Sequence, residues 1–324
     1  MCTALTLKTD DFYFGRNFDW EFSYGESVTV APRRYAFEFS DSSVCDNHYA
    51  IIGTAFVQDN YPLYFDGTNE AGLSMAGLNF PGNACYNSPR AEAVNVASYE
   101  LINRVLSRFA TVSQALTFLE KVNITDICFN AGLPPSPLHW IIADCRSCYV
   151  IEPMSDGLRL HQNSFGVLTN NPPFDYHALN MSGYMQLTCD EPKNCFDPDI
   201  SLSVYSRGMG ALGLPGDWSS PSRFVRAAFE RANSASAATG EESVGQFFHI
   251  LGSVEHIRGC VKLPEDKYEI TQYSSCCNTD KGVYYYTTYE NRQICAVDMH
   301  KEKLDGNHLI SYPMGNRQNI FYVN

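Results

Sequence analysis

Apolar and polar positions alternate with the period of a strand over much of the chain, interrupted by blocks of helical period. Residues 3–9 and 11–17 have strand character on either side of Asp10-Asp11, which predicts a hairpin. Residues 28–39 are β-branched and aromatic around Pro32, and 49–56 and 71–79 suit buried strands. Gly72 and Gly77 mark points where the backbone bends or approaches a neighbour closely. Over 97–109, Leu101, Ile102, Val105, Leu106 and Phe109 recur at helical spacing. A second helix follows, with Thr111 and Gln114 as a capping box and Val112, Ala115, Leu116 and Leu119 as its apolar stripe. Strands return at 138–143 and 148–152, joined through residues 144–147, and 158–169 reads as extended. The segment 171–217 is rich in Asn, Pro, Asp and Gly and reads as mostly loop. Ser220-Pro221 opens a third helix, with Pro in the first turn and Phe224, Val225, Ala228 and Phe229 on its apolar face. A fourth covers about 243–251 and stops at Gly252. Residues 283–289 and 294–299 close the chain as a strand pair around Asn291.

This order is neither strict βαβ alternation nor all-β. It predicts an α+β fold of two mainly antiparallel sheets stacked between helical layers. No internal repeat or low-complexity linker divides the 324 residues, so a single domain over 1–324 is expected. Apolar residues make up 44% of the chain, ample for a large core. The net charge of −13 without a Lys/Arg cluster argues against a nucleic-acid partner. No 18-residue apolar run is present, so no stable membrane insertion is expected. The N-terminus lacks a basic region followed by a long apolar stretch, which points to the cytoplasm. In that reducing compartment the 12 cysteines read as free thiols.

Cys2 carries the most chemistry. Removal of Met1 would leave a cysteine with a free α-amino group, so that one residue holds both nucleophile and base. An α-amine titrates at about 7.7–8.0, close to working pH, and needs no separate histidine. The predicted hairpin brings Arg16 and Asp19 of Gly15-Arg16-Asn17-Phe18-Asp19-Trp20 beside that terminus. Arg16 would favour a thiolate, and Asp19 would hold the protonated amine. Arg223 lies in the first turn after Ser220-Pro221, where the helix dipole disfavours a cation, and a residue placed against local preference is a candidate for function. Cys145 and Cys148 form a CxxC, which would make a redox pair or half of a zinc site. It lies at a strand–strand turn and has no second CxxC, so no metal is expected. His139, in Leu138-His139-Trp140, reads as a satisfied core histidine.

Further segments run through almost the whole chain: Asp66-Gly67-Thr68-Asn69-Glu70-Ala71-Gly72-Leu73, Ala76-Gly77-Leu78-Asn79-Phe80-Pro81, Leu138-His139-Trp140, Leu168-Thr169-Asn170-Asn171-Pro172, Gly213-Leu214-Pro215-Gly216-Asp217, Ser222-Arg223-Phe224 and Tyr289-Glu290-Asn291. With Cys2-Thr3 at the start and G-R-N-x-D after it, the chain resembles the choloylglycine hydrolase family, which contains bile salt hydrolases and penicillin V acylases. The resemblance implies a four-layer αββα N-terminal nucleophile hydrolase needing no cofactor. It makes Cys2 the nucleophile, Arg16 and Asp19 its charged neighbours, Asn79 and Asn170 the residues that form or support the oxyanion hole, and Arg223 the remaining arginine of the site. Asn at 79, where penicillin V acylases often have Tyr, favours a glycine- or taurine-conjugated bile acid as substrate. Penicillin V or an acyl-homoserine lactone is the alternative within the family, and a non-catalytic thiol or metal-binding protein the alternative outside it. The steroid would meet Phe18, Trp20, Phe22, Phe56, Val57, Phe129, Leu133 and Leu138, and Arg207 would take the carboxylate of the amino acid. Residues 184–210 correspond to a segment that related enzymes use in assembly, which implies a homotetramer.

Overall fold

The computed structural model describes residues 1–235, 239–315 and 317–324. The hairpin expected around Asp10-Asp11 is present as β1 (Cys2–Lys8) and β2 (Phe12–Trp20). β3 (Ser27–Ala31), a short pair β4 (Phe37–Glu38) and β5 (Val44–Cys45), β6 (Ile51–Gln58), β7 (Tyr61–Asn69) and β8 (Ser74–Asn79) follow. β9 (Val94–Ala97) leads through a 3-10 turn into α1 (Leu101–Arg108) and α2 (Val112–Leu119). Next come β10 (Val122–Thr125), β11 (Leu138–Ala143), β12 (Cys148–Met154), β13 (Gly157–Gln162) and β14 (Val167–Leu168). α3 (Phe174–Asn180), α4 (Ser220–Asn233) and α5 (Gly240–Gly252) precede the last strands, β15 (Ile270–Asn278), β16 (Val283–Thr288), β17 (Asn291–Asp298) and β18 (Ile310–Pro313).

The strands assemble into two large sheets. One has six strands in the order β14-β1-β2-β15-β16-β17, and the other has eight, β13-β12-β11-β8-β7-β6-β3-β18. Every neighbouring pair in both is antiparallel, whereas the small β9–β10 pair is parallel. The α4–α5 pair covers the six-stranded sheet, and α1 covers the eight-stranded one. The result is an αββα stack. Both faces of the central strands are then dry, which is why β1 and β2 read as near-continuous buried runs rather than alternating ones. One apolar cluster joins Ala4 and Phe14 to Ala76, Ile141, Phe224 and Phe247, so it extends from between the sheets to the α4–α5 layer. A second lies beneath α1 and α2.

Strands β5, β7, β9, β10, β15 and β18 lie where the sequence reading placed no strand. β15, the central partner of β2, was not expected, because Thr271, Gln272, Ser274 and Ser275 give it no apolar alternation. Its polar groups are satisfied inside. Ser274 Oγ donates to Asn17 Oδ1 at 2.7 Å, Tyr273 OH to Asp66 Oδ1 at 2.6 Å, and Tyr284 OH from β16 to Asp66 Oδ2 at 2.6 Å. The 171–217 segment is mostly loop, as expected, with one α-helix at its start. Asn171-Pro172 is a cis peptide bond, and α3 follows it at once. Of the two glycines singled out, Gly72 sits at φ +88° in the β7–β8 turn, and a Cβ on Gly77 would lie 3.1 Å from the Trp140 ring nitrogen. Thr111 Oγ1 accepts the Gln114 N–H as a cap should, but the Gln114 side chain reaches Ala110 N rather than Thr111 N.

Candidate active site

Cys2 is the first residue of β1 and faces Phe18 across the hairpin. Its backbone is gripped from two sides. The Cys2 N–H donates to Asn170 Oδ1 at 2.7 Å, and its carbonyl accepts from Arg223 Nη1 at 2.6 Å. Arg223 Nη1 also reaches Thr3 Oγ1 at 2.6 Å, its Nη2 reaches Asn170 Oδ1 at 2.9 Å, and its Nε donates to the Trp218 carbonyl at 3.0 Å. Asn170 Nδ2 donates to the Asn79 carbonyl at 2.7 Å. The helix start therefore delivers a cation to the N-terminal end of β1, and the backbone before α3 delivers Asn170 to the same place. Arg223 is wholly buried, and this desolvation lowers its pKa, with Asp19 and Cys2 opposing.

Arg16 and Asp19 lie on β2, both fully buried. Burial works against the Arg16 charge, but Cys2, Tyr273, Asp66 and Asp19 outweigh it and raise its pKa. Arg16 Nη1 donates to the Gly77 carbonyl at 2.6 Å and the Phe65 carbonyl at 3.0 Å. Its Nη2 has no hydrogen-bond partner among the described residues. Asp19 Oδ1 accepts from Thr271 Oγ1 at 2.6 Å, while its Oδ2 is unpartnered among the described residues, with Arg223 Nη1 at 3.9 Å and His256 Nε2 at 3.8 Å. Met1 caps the strand. Its ammonium donates to the Asp19 carbonyl at 2.9 Å and pairs with the buried Glu269, and burial lowers its pKa. His256, Glu269 and Thr271 were not foreseen as part of this cluster, since they come from the segment in which β15 went unrecognised.

Cys2, Arg16 and Asn79 line a cavity of about 450 Å³, within the range of ~300–1,000 Å³ usual for small-molecule sites. Its walls are mostly aromatic and aliphatic. Phe18, Trp20, Phe22, Phe56, Phe129, Leu133 and Leu138 all border it, as do Tyr24, Phe65, Tyr99 and a proline-rich rim at 134–137. Phe65 stacks on Phe18 with ring centres 4.8 Å apart, and Phe18 stacks on Tyr273 at 5.3 Å. Phe65 was missed because β7, broken by Pro62 and a register shift against β6, lacks a clean strand pattern.

Two expected residues are elsewhere. Val57 does not border the cavity, because it follows Phe56 on β6 and successive side chains on a strand point to opposite faces. Arg207 lies exposed on the long segment before α4 and also does not border it, so in this arrangement it is not placed to take a carboxylate beside Cys2. Cys145 is exposed at the β11–β12 turn, and burial pushes the Cys148 thiol up to about 12, which disfavours the thiolate that redox or metal chemistry requires.

The family profile described as linear amide C–N hydrolases, choloylglycine hydrolase family, matches residues 2–312. The chain is 50% identical over 324 residues to the bile salt hydrolase/transferase of Lactiplantibacillus plantarum, covering 100% of both. It is 39% identical to the bile salt hydrolase/transferase of Clostridium perfringens, again covering 100% of both. Among solved structures, a variant of the conjugated bile acid hydrolase from Clostridium perfringens superposes with a TM-score of 0.92 at 38% identity, covering 100% of each chain. The penicillin V acylase from Agrobacterium tumefaciens shares the fold, with a TM-score of 0.78 at 20% identity over 97% of this chain and 92% of that one.

Proposed function

Because the chain belongs to the choloylglycine hydrolase family of linear amide C–N hydrolases, we propose that it is a bile salt hydrolase that cleaves the amide between a steroid acyl group and glycine or taurine. The observation that carries this reading is the position of Cys2 on the wall of a largely aromatic cavity, with Arg16 and Asn79 beside it. An apolar acyl group fits such walls, and its carbonyl carbon would then lie next to sulfur.

Removal of Met1 turns the Cys2 N–H, now 2.7 Å from Asn170 Oδ1, into a free amine held by the same oxygen. The chemistry follows from that change. The amine takes the thiol proton as sulfur attacks the amide carbon, and the negative charge on the former carbonyl oxygen falls to amide donors from Asn79, whose segment Asn170 supports. The amine then passes its proton to the leaving nitrogen, the C–N bond breaks, and glycine or taurine departs. A water attacks the thioester, gives a proton to the amine, and the C–S bond breaks to release the bile acid and restore Cys2. Arg16 supports the sulfur's negative charge, and Asp19 and Arg223 hold the terminus. If an amine rather than water meets the thioester, a new amide forms; the two relatives are named bile salt hydrolase/transferase.

No helix among the described residues is long and apolar enough to cross a membrane, and we place the protein in the cytoplasm. The 184–210 segment exposes Met185, Phe196 and Tyr205 at 80% or more, which supports its use in a homotetramer. Assay of glycocholate, taurocholate and penicillin V tests the substrate reading, with Cys2→Ser alongside. Hydrolysis of both bile salts, abolished in Cys2→Ser, is expected. Cleavage of penicillin V alone, or full activity in Cys2→Ser, overturns it.

A further inference from the structure

His139 does more than fill the core. It is fully buried on β11, and its Nε2–H donates to the carbonyl of Thr169, the residue before Asn170, at 3.0 Å. Its ring lies flat on Phe80, the residue after Asn79, with centres 4.2 Å apart and planes 6° from parallel. One imidazole thus touches both backbone segments that carry the site asparagines. On its other edge, Nδ1 faces Oε1 of the buried Glu152 at 3.2 Å, and that same oxygen accepts the Phe174 N–H at the start of α3 at 2.9 Å.

The pair is part of a larger arrangement. α3 carries His177, whose Nε2–H donates to the Asn170 carbonyl at 2.9 Å and whose ring stacks on Phe224, next to Arg223. Glu152 therefore anchors one histidine directly and the helix of the other through its first turn. Glu152 Oε2 lies 3.5 Å from His161 Nε2, and His161 Nδ1 lies 3.1 Å from Asp175 at the surface. Burial opposes the Glu152 charge, yet the hydrogen bond from His139, with His161 close by, holds its pKa down to about 2. An ionised carboxylate this deep in a core persists only where its partners are fixed, and its partners here are the backbone and rings on either side of Asn170.

We propose that His139 and Glu152 are positioning residues, which lock the Thr169–Asn170 and Asn79–Phe80 segments against one another and so set the spacing of the oxyanion donors. The inference rests on the reading of Asn79 and Asn170 given above. Neither residue borders the cavity, so their effect is on turnover rather than on substrate binding.

The test uses His139→Phe, which keeps a ring against Phe80 without the hydrogen bonds, and His139→Gln, which keeps a donor toward Thr169. Each is assayed with glycocholate and with p-nitrophenyl acetate, an activated ester that needs the oxyanion donors but no steroid pocket. Alkylation of Cys2 by iodoacetamide reads the thiol independently. His139→Phe should lower kcat on both substrates by about tenfold to a hundredfold, as expected for donors displaced by a fraction of an ångström to 1 Å. KM and the alkylation rate should stay within twofold, and His139→Gln should recover most of the loss. Unchanged kcat in His139→Phe overturns the inference. So does a joint collapse of kcat, KM, alkylation and melting temperature that His139→Gln fails to rescue, which would mark a purely structural residue. If the wild-type protein cleaves the ester but neither bile salt, the substrate reading fails while His139 is still judged on the ester.

Discussion

Arg223 Nη2 donates to Asn170 Oδ1 at 2.9 Å, and that oxygen is also the acceptor for the Cys2 N–H. A single side-chain amide thus fixes the nucleophile's backbone with its oxygen and the Asn79 segment with its nitrogen. Asn170→Ala should reduce kcat by about 100-fold, the scale expected when the nucleophile and the Asn79 segment lose their common anchor and shift by about 1 Å, with a small change in KM. A KM effect without a kcat effect would show that Asn170 acts on substrate binding instead.

The aromatic wall makes a different prediction. Phe65→Ala removes the ring stacked on Phe18 and opens the cavity. Loss of about 1.5 kcal/mol or more of apolar contact corresponds to a KM for glycocholate raised roughly tenfold. Turnover of p-nitrophenyl acetate should stay within threefold. Equal losses on both substrates would count against a steroid lying on Phe65.

Stability should fall in mild acid. His177 and His256 are fully buried, and burial lowers both to about 4 from an ordinary 6.5. Between those values the unfolded chain binds more protons than the folded one, so acidification favours unfolding. The contribution is complete above pH 6.5 and is lost as pH drops to about 4. It is on the order of 3 kcal/mol per histidine. His161, raised by its bond to Glu152, acts in the opposite sense and loses its contribution as pH rises. Denaturant titrations at pH 7 and pH 5 should show the decline, and His177→Gln with His256→Phe should flatten it. An unaltered slope in the double variant would rule this cause out.

Gly15→Ala probes the contact of β2 with β15. The new Cβ would fall 1.9 Å from the Ser275 carbonyl oxygen, and backbone on both sides leaves nothing flexible to move. Destabilisation of about 1–3 kcal/mol or more is expected, measured as a lower melting temperature. An unchanged melting temperature would mean that the strands are less tightly apposed.

What could be read from the sequence depended on how local each signal was. The β1–β2 hairpin needs only adjacent residues, so Cys2, Arg16 and Asp19 could be grouped from their spacing. Asn170 sits far along the chain and was reached through a motif matching a known family, whereas Arg223 also stood out as a cation in a helix first turn, where the dipole disfavours it. Strand β15 stayed hidden because its serines and Tyr273 are satisfied by Asn17 and Asp66, partners that only the fold supplies. With it went Thr271, Glu269 and His256. Val57 lies next to Phe56 on a strand whose successive side chains alternate, so only Phe56 borders the cavity, and Arg207, expected there because it precedes Gly213-Leu214-Pro215-Gly216-Asp217, is exposed away from it.

The contacts of the Met1 ammonium with the Asp19 carbonyl and Glu269 make activity a gauge of N-terminal processing under the proposed mechanism. A chain that keeps Met1 has only an amide nitrogen at Cys2, so it has no base to take the thiol proton. Activity per milligram should therefore rise in proportion to the fraction of chains that intact mass shows to be lighter by one methionine.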